Sequence, residues 1–475
     1  MKLCIFTVNF VICVLQFAVG DPFATCRKTA KFSTKTGYDM LPAVKADVTK
    51  PTDYTAVQIN MVFRHGERFP GNDDVEKMKE FAKKINRFKS TISPDVNLSL
   101  PWQPKLKGIE DKMLAKQGET VLYNLGKRIR KWFPEVFAKT YSTYNYKFMS
   151  TCVLRAAGSA DAIAMGIFEN HGHLGPDKLQ PIHLLVNPCD KDIILKAQDN
   201  CRLYNLRVKD NDTALEQVKK FEEGPEVKSV IKSIKAKFGQ LGMSLSYDEV
   251  KMMYKVCSWD IIMFNGSLQN GICSMFTQDE LSVIEYNEDM DDYYKRSNAY
   301  ELSYKSSCPL LRDIYNSIKT KIGKPDSFSG IFRAGHSDTM LPFFALLGVY
   351  TNEIKMTSSN YITNKNRTFR GGCLAPFSSN LYFVLYKKNN GGNSTKDYKI
   401  QLYVNERLTK IPGCSSITDC TFQEFDRQYK SIVDNCDYKK MCDVSIPTPQ
   451  PKSDAVYMSL TTYFSLALVT LVFAL

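Results

Sequence analysis

The run Val57-Gln58-Ile59-Asn60-Met61-Val62-Phe63 alternates, turns fully apolar, and ends at once in Arg64-His65-Gly66-Glu67-Arg68-Phe69-Pro70. A period of two with β-branched and aromatic residues predicts a strand entering a core. Pro70 bars its continuation, and Gly66 permits a tight turn and a close approach to the backbone. The chain is therefore constrained to carry an imidazole and two guanidiniums to the rim of a sheet. Two forked guanidiniums at one small site suit a doubly charged tetrahedral oxyanion, and neutral imidazole among them is a competent nucleophile towards phosphorus. A basic surface turn is the plainer alternative, but five fixed positions in seven, behind a strand, argue against it.

Two later segments repeat the strand-to-helix pattern. Residues 144–149 read as a strand, and residues 156–165 are rich in Ala with apolar residues at helical spacing. Arg155 lies at the switch between them, where strand ends and helix N-termini favour anions. Alone it would read as a surface arginine. Downstream, residues 327–332 are a short strand candidate running into Arg333-Ala334-Gly335-His336-Ser337-Asp338-Thr339, then the apolar, helix-like 343–347. Here His336 and Asp338 occupy the turn, and Ser337 or Asp338 could instead serve only as an N-cap.

Taken together, Arg64-His65-Gly66-x-Arg68-x-Pro70, the middle Arg155 and the C-terminal His336 motif resemble the branch-two histidine phosphatases, or histidine acid phosphatases. Within them the likeness is to the multiple inositol polyphosphate phosphatases, whose carboxylate lies two residues after the His, as in His336-Ser337-Asp338-Thr339. Gln117-Gly118-Glu119, residues 290–296 and the stretch from Ser306 to Ile314 are similar to the same group. The likeness spans roughly residues 54–442. Two positions depart: Asp338 stands for the group's glutamate, one methylene shorter, and Ser337 for its alanine.

The resemblance implies an α/β fold with a mixed central sheet flanked by helices and a mostly helical inserted cap domain. It implies metal-free, two-step phosphoryl transfer without a cofactor. His65 would be the nucleophile, Arg64, Arg68, Arg155 and His336 would surround the phosphate, and Asp338 would be the proton donor. The substrate expectation is an inositol polyphosphate, inositol hexakisphosphate included. A broad acid phosphatase and a catalytically silent phosphate-binding surface protein are the alternatives. The pair His171 and His173 has no carboxylate or thiolate at a zinc spacing and reads as a surface loop.

The chain has 475 residues, 44% of them hydrophobic, enough for one large core and a second lobe. The expected layout is a signal peptide at 1–20, the first part of the core at 21–167, a mostly helical cap at 168–325 and the second part of the core at 326–445. Residues 214–221 and 227–234 are the clearest cap helices, and 381–386 and 400–404 read as further sheet strands. A Pro-rich linker follows at 446–453. Residues 454–475 end in a short apolar tail with no basic residue after it, which fits a glycosylphosphatidylinositol signal better than a membrane span. Ser453 is the candidate attachment site.

Export is consistent with the cysteines and sequons. Of 14 cysteines, Cys4 and Cys13 fall in the leader, leaving an even number in the mature chain. The close pairs Cys189/Cys201, Cys257/Cys273, Cys414/Cys420 and Cys436/Cys442 could each close a short loop, though sequence leaves connectivity open. Cys152 is expected to pair rather than stay a free thiol. Asn97, Asn211, Asn265, Asn366 and Asn393 are glycosylation acceptors by pattern. The net charge of +13 suits a polyanionic small molecule, whereas lysines interleaved with Glu and Asp argue against a nucleic-acid partner.

Overall fold

A computed structural model of the chain describes residues 26, 31–43, 48–88, 90–106, 108, 110–240, 242–350 and 354–444. The leader at 1–20, the linker, Ser453 and the apolar tail lie outside the described residues. Among the described residues no helix is long and apolar enough to cross a membrane.

The strand expected before Arg64 is β1 (Tyr54–Arg64), and its last seven residues are all buried. The other strands are β2 (Tyr146–Ser150), β3 (Leu184–Val186), β4 (Gly330–Gly335), β5 (Asn380–Lys388), β6 (Tyr398–Val404), β7 (Arg407–Thr409) and β8 (Cys420–Thr421). They form one sheet in the order β3-β2-β4-β1-β5-β6-β7, with β8 beside β6. Strands β3, β2, β4 and β1 run parallel, and β5 to β8 are antiparallel, so the sheet is mixed. β1 and β4 pair in parallel with Arg64 opposite Gly335. That register brings the residue before His65 level with the residue before His336.

Both faces of the sheet are covered, as central parallel strands require. On one face Ile59, Met61 and Phe63 meet α2 (Lys116–Trp132) and α3 (Leu154–Phe168). These helices press backbone to backbone: a Cβ on Gly126 would fall 2.3 Å from the Ile163 carbonyl oxygen, and one on Gly166 2.0 Å from that of Tyr123. On the other face lie α8 (Cys308–Gly323), α9 (Ser337–Leu347) and α10 (Phe422–Asp434). The polar members of the β1 alternation, Gln58 and Asn60, are also buried. Gln58 donates to the Phe328 carbonyl at 2.9 Å, and Asn60 accepts from Ser317 at 2.7 Å and from Arg333 at 3.2 Å. Arg333, fully buried, is neutralised by Asp313 at 2.6 Å. Buried polar groups satisfied in this way cost little.

Helices α4 (Glu216–Glu222), α5 (Pro225–Lys237), α6 (Tyr247–Phe264) and α7 (Gln278–Arg296) build the cap. Capping boxes at Ser246/Glu249 and Thr277/Glu280 start α6 and α7, each satisfying two N-terminal donors reciprocally. Helix α1 (Asn72–Ile85), from the earlier part of the chain, packs against α6. Conversely, β3 belongs to the sheet although it lies within the stretch 168–325. The cap is thus stitched from more than one stretch of sequence.

Six disulfides join Cys26–Cys373, Cys152–Cys189, Cys201–Cys442, Cys257–Cys273, Cys308–Cys436 and Cys414–Cys420. Two short-loop pairs expected from spacing, Cys257/Cys273 and Cys414/Cys420, are formed. The pairs Cys189/Cys201 and Cys436/Cys442 are not. Cys189 lies 5.3 Å by Cα from Cys152, just past β2. Cys201 instead meets Cys442 at 4.8 Å inside a small apolar cluster with Tyr204, Val208 and Tyr438. Spatial packing overrides sequence proximity, because disulfide geometry depends on Cα separation in the fold. Cys152 is paired, as expected.

Candidate active site

The loop after β1 is held from every side by backbone bonds. The Arg64 amide donates to the Ser379 carbonyl at 2.8 Å and the His65 amide to that of Gly335 at 3.0 Å. The His65 carbonyl in turn accepts from the Ser378 amide at 3.0 Å, and the Gly66 amide donates to Ser159 Oγ at 3.1 Å. His65 Nδ1 lies 2.8 Å from the Gly66 carbonyl oxygen. A carbonyl only accepts, so Nδ1 carries the proton and Nε2 keeps its lone pair for attack. Burial, then the positive Arg64 and the nearby His336 and Arg155, push the His65 pKa well below its ordinary value. The His65 imidazole is therefore neutral over the whole physiological range.

The guanidiniums surround it. Arg64 Nη1 donates to the Thr34 and Ala375 carbonyls at 2.5 and 2.6 Å, and its Cζ lies 4.3 Å over the Phe377 ring. Arg68 Nη1 donates to its neighbour's carbonyl, that of Phe69, at 2.7 Å. Burial, together with the Arg68 charge, lowers Arg64 to about 9; burial, together with Arg155, lowers Arg68 to about 10. Arg155 is the second residue of α3, and its pKa is likewise lowered by burial. Two donors stand out: Arg64 Nε and Arg155 Nε are buried without a hydrogen-bond partner among the described residues. An unpaired, buried cationic donor is costly unless an anion completes it.

His336 is the N-cap of α9, in place of Ser337 or Asp338, and its amide bonds Thr339 Oγ1 at 3.1 Å. Its Nε2 is 2.9 Å from Thr151 Oγ1, so β2 and β4 jointly orient the ring. The His65 and His336 rings meet edge to face at 5.3 Å. Burial and the Arg155 charge hold His336 down to about 3, so its ring is neutral rather than a further cation. Asp338 is the second residue of α9. Burial would raise its pKa, but Arg296, His336 and Arg64 outweigh that and hold it at about 2. All six residues expected from sequence thus gather at the C-terminal edge of β1 and β4. His171 and His173 lie apart, exposed in a turn beside the Leu174–Leu179 bridge. The sequons Asn97, Asn265, Asn366 and Asn393 are exposed, and Asn211 is half-buried.

Several site residues carry no local motif. The single-turn 3-10 helix Ser33–Lys35 crosses the site as a strap. Ser33 Oγ donates to Asp289 at 2.7 Å, Ser258 Oγ donates to the Lys35 carbonyl at 2.6 Å, and Cys26–Cys373 buckles the strap's start. Lys35 makes no ion pair among the described residues, and burial, then Arg68, bring its ammonium down to about 8. Glu67, buried, accepts from the Tyr38 amide at 2.8 Å and from Ser378 Oγ at 3.1 Å, tying strap to loop. Arg296, ending α7, donates from Nε to Asp338 and from Nη1 to Asp292. Nothing local marks Lys35 as lying near Arg68 and Arg64, or Arg296 as facing Asp338.

A sequence profile described as the histidine phosphatase superfamily, branch 2, matches residues 57–405. A protein of Gallus gallus named multiple inositol polyphosphate phosphatase 1 is 28% identical over 83% of this chain and 86% of its own. Among solved structures, a phytase from D. castellii superposes with a TM-score of 0.70 at 16% identity, covering 90% of both chains. A Bifidobacterium longum multiple inositol polyphosphate phosphatase in complex with inositol hexasulfate gives 0.63 at 17% identity, over 85% of this chain and 97% of its own.

Proposed function

The chain belongs to the histidine phosphatase superfamily, branch 2, and is a phosphoric monoester hydrolase; we propose that its substrates are inositol polyphosphates, inositol hexakisphosphate included. The observation that carries the reading is the pair of partnerless buried donors, Arg64 Nε and Arg155 Nε, beside an imidazole whose Nε2 bears a lone pair. A phosphoryl group supplies the missing acceptors and presents phosphorus to that lone pair. The Gallus gallus relative's name supports the inositol polyphosphate class.

In the first half-reaction the His65 Nε2–P bond forms as the ester P–O bond breaks, its electron pair going to the leaving oxygen. Arg64, Arg68 and Arg155 hold the equatorial oxygens where charge develops, usually the largest catalytic contribution. A phosphate dianion beside His336 would offset the burial and the Arg155 charge that hold its pKa down, and so favour its protonated form. Asp338 gives its proton to the leaving oxygen, then in the second half-reaction takes one from water as the P–N bond breaks. The reading needs neither metal nor cofactor. The leader, sequons and apolar tail support a secreted glycoprotein held at the cell surface by a lipid anchor at Ser453.

The test is phosphate release from inositol hexakisphosphate by residues 21–452 with a chelator present, beside His65→Ala. Turnover that survives chelation, is lost in the variant and exceeds that on a simple aryl phosphate is expected. Turnover of the aryl phosphate alone would mark a general acid phosphatase. None from folded protein would mark a silent binder.

A further inference from the structure

Asp338 is asked to be an acid, yet it sits in an ion pair. Arg296 Nε donates to Asp338 Oδ1, while Nη1 donates to Asp292 Oδ1 at 2.5 Å, and Asp291 lies 3.9 Å further round the same fork. Asp291 is itself drawn off by Lys295 at 2.5 Å. Other charges face Asp338 too: Arg64 from β1 and Arg155 from α3, with Lys196 beyond the neutral His336 and Tyr204 beside Arg296. The balance is cationic. Only Arg296 touches the carboxylate by a hydrogen bond among the described residues.

We propose that Arg296 is a positioning residue for the reaction: gripping Oδ1, it fixes where Asp338 points and biases it towards the proton-accepting half of the cycle. The proposal rests on the acid-base role given to Asp338 above. In the first half-reaction a proton must leave Asp338 Oδ2 for the departing alkoxide, so Asp338 must first acquire one despite Arg296. In the second half-reaction the carboxylate, gripped again, takes a proton from the water whose oxygen bonds phosphorus, while the P–N pair returns to His65 Nε2. By stabilising the carboxylate, Arg296 thins the protonated form that the first transfer needs and keeps Asp338 in the ionised form that the second needs. The same grip answers the missing methylene: α7 holds the shorter acid in place from outside its own helix. Asp292 moderates the grip by sharing the fork.

The experiment is the pH dependence of kcat/KM for Arg296→Gln on two substrates. One is inositol hexakisphosphate, whose alkoxide needs a proton; the other is p-nitrophenyl phosphate, whose phenolate leaves without one. Removing an opposite charge in contact moves a carboxyl by about 1–3 pH units, so the basic limb for inositol hexakisphosphate shifts upward by at least about one unit. The limb for p-nitrophenyl phosphate stays within a few tenths of a unit. A pre-steady-state burst of p-nitrophenol also appears, because the base half is slowed and phosphoenzyme accumulates. Equal shifts on both substrates, or no shift, would overturn the proposal. Asp292→Asn leaves the whole fork to Asp338 and should move the limb the opposite way, so the idea stays testable if Arg296→Gln does not fold. Asp338→Asn runs alongside. If it leaves inositol hexakisphosphate turnover intact, the role of Asp338 itself fails; if it abolishes turnover while Arg296→Gln shifts nothing, only Arg296 fails.

Discussion

Gly118→Ala isolates how tightly the loop carrying His65 is held. A Cβ at position 118 would stand 2.4 Å from the Glu67 amide nitrogen, 2.5 Å from its carbonyl oxygen and 2.8 Å from the Gly66 carbonyl carbon. Ordinary contact needs roughly 3.4 Å or more, so backbone on one side must retreat by about 1 Å. Helix α2 has little room to give. Its Gly126 and Gly166 contacts lock it against α3, and the Ala115 amide just before it bonds the Glu67 carbonyl at 2.8 Å. The loop carrying His65 therefore moves. Overpacking of this size costs about 1–3 kcal/mol, and a 1 Å misplacement of a reacting group costs about 100-fold in rate. Steady-state turnover of an aryl phosphate, with a denaturant midpoint on the same sample, reads both. Gly158→Ala in α3 is the control, since its Cβ would meet only Leu114 at 3.4 Å, and helix propensity favours it. A Gly118→Ala enzyme with kcat within threefold of the parent and an unchanged midpoint would refute the reasoning.

Acid stability and substrate selectivity follow from other groups at the site. His336 is held near 3 when folded against 6.5 unfolded. As pH falls below 6.5 the unfolded chain takes the proton first, so stability drops by up to about 1.4 kcal/mol per unit down to about 3, with no contribution above 6.5. Thermal midpoints of parent and His336→Gln across pH 3–8 check it: the variant's slope should be shallower below 6.5, and identical slopes would contradict the assignment. Lys35→Met should raise KM for inositol hexakisphosphate by about tenfold or more, the worth of a charged hydrogen bond. The loss should exceed that on an aryl phosphate with a single phosphate group, and equal losses would count against a contact with a second phosphate.

Local pattern made the sheet legible. The alternation at 57–63 and the apolar 381–386 lie in strands, and the β-like 144–149 overlaps one from Tyr146 onward, because their neighbours are apolar. It placed Arg155 at a helix start and His336 at a turn for the same reason: each follows a strand that must end. The alternation did not say where Gln58 and Asn60 go: both are buried against α8 and Arg333. Partners chosen by the assembled fold left no trace in local spacing. Cys189 bonds Cys152 rather than its near neighbour, Lys35 reaches the site through a strap, and Arg296 faces Asp338 only because α7 ends beside α9. A shortened acid was visible in sequence, and Arg296 lay in the family-like stretch 290–296, but the contact between them was not legible.

The position of β1 has a consequence for how the molecule is made. Its two neighbours are β4 and β5, and Ile59 lies opposite Gly330 and Val384. The strand's hydrogen-bond partners are thus about 271 and 325 residues away in sequence, by subtraction of those positions. At ribosomal rates, roughly 14 to 54 s separate the emergence of Ile59 from that of Gly330. During that interval a strand destined for full burial over its last seven residues has neither edge covered, and contacts this non-local form slowly in any case. The nascent chain is therefore open to aggregation in its first half, and a chaperone that binds an extended apolar segment has its natural target at 57–63. Catalytic competence arrives only when the second half closes on the first, so no N-terminal fragment ending before Gly335 can carry the activity.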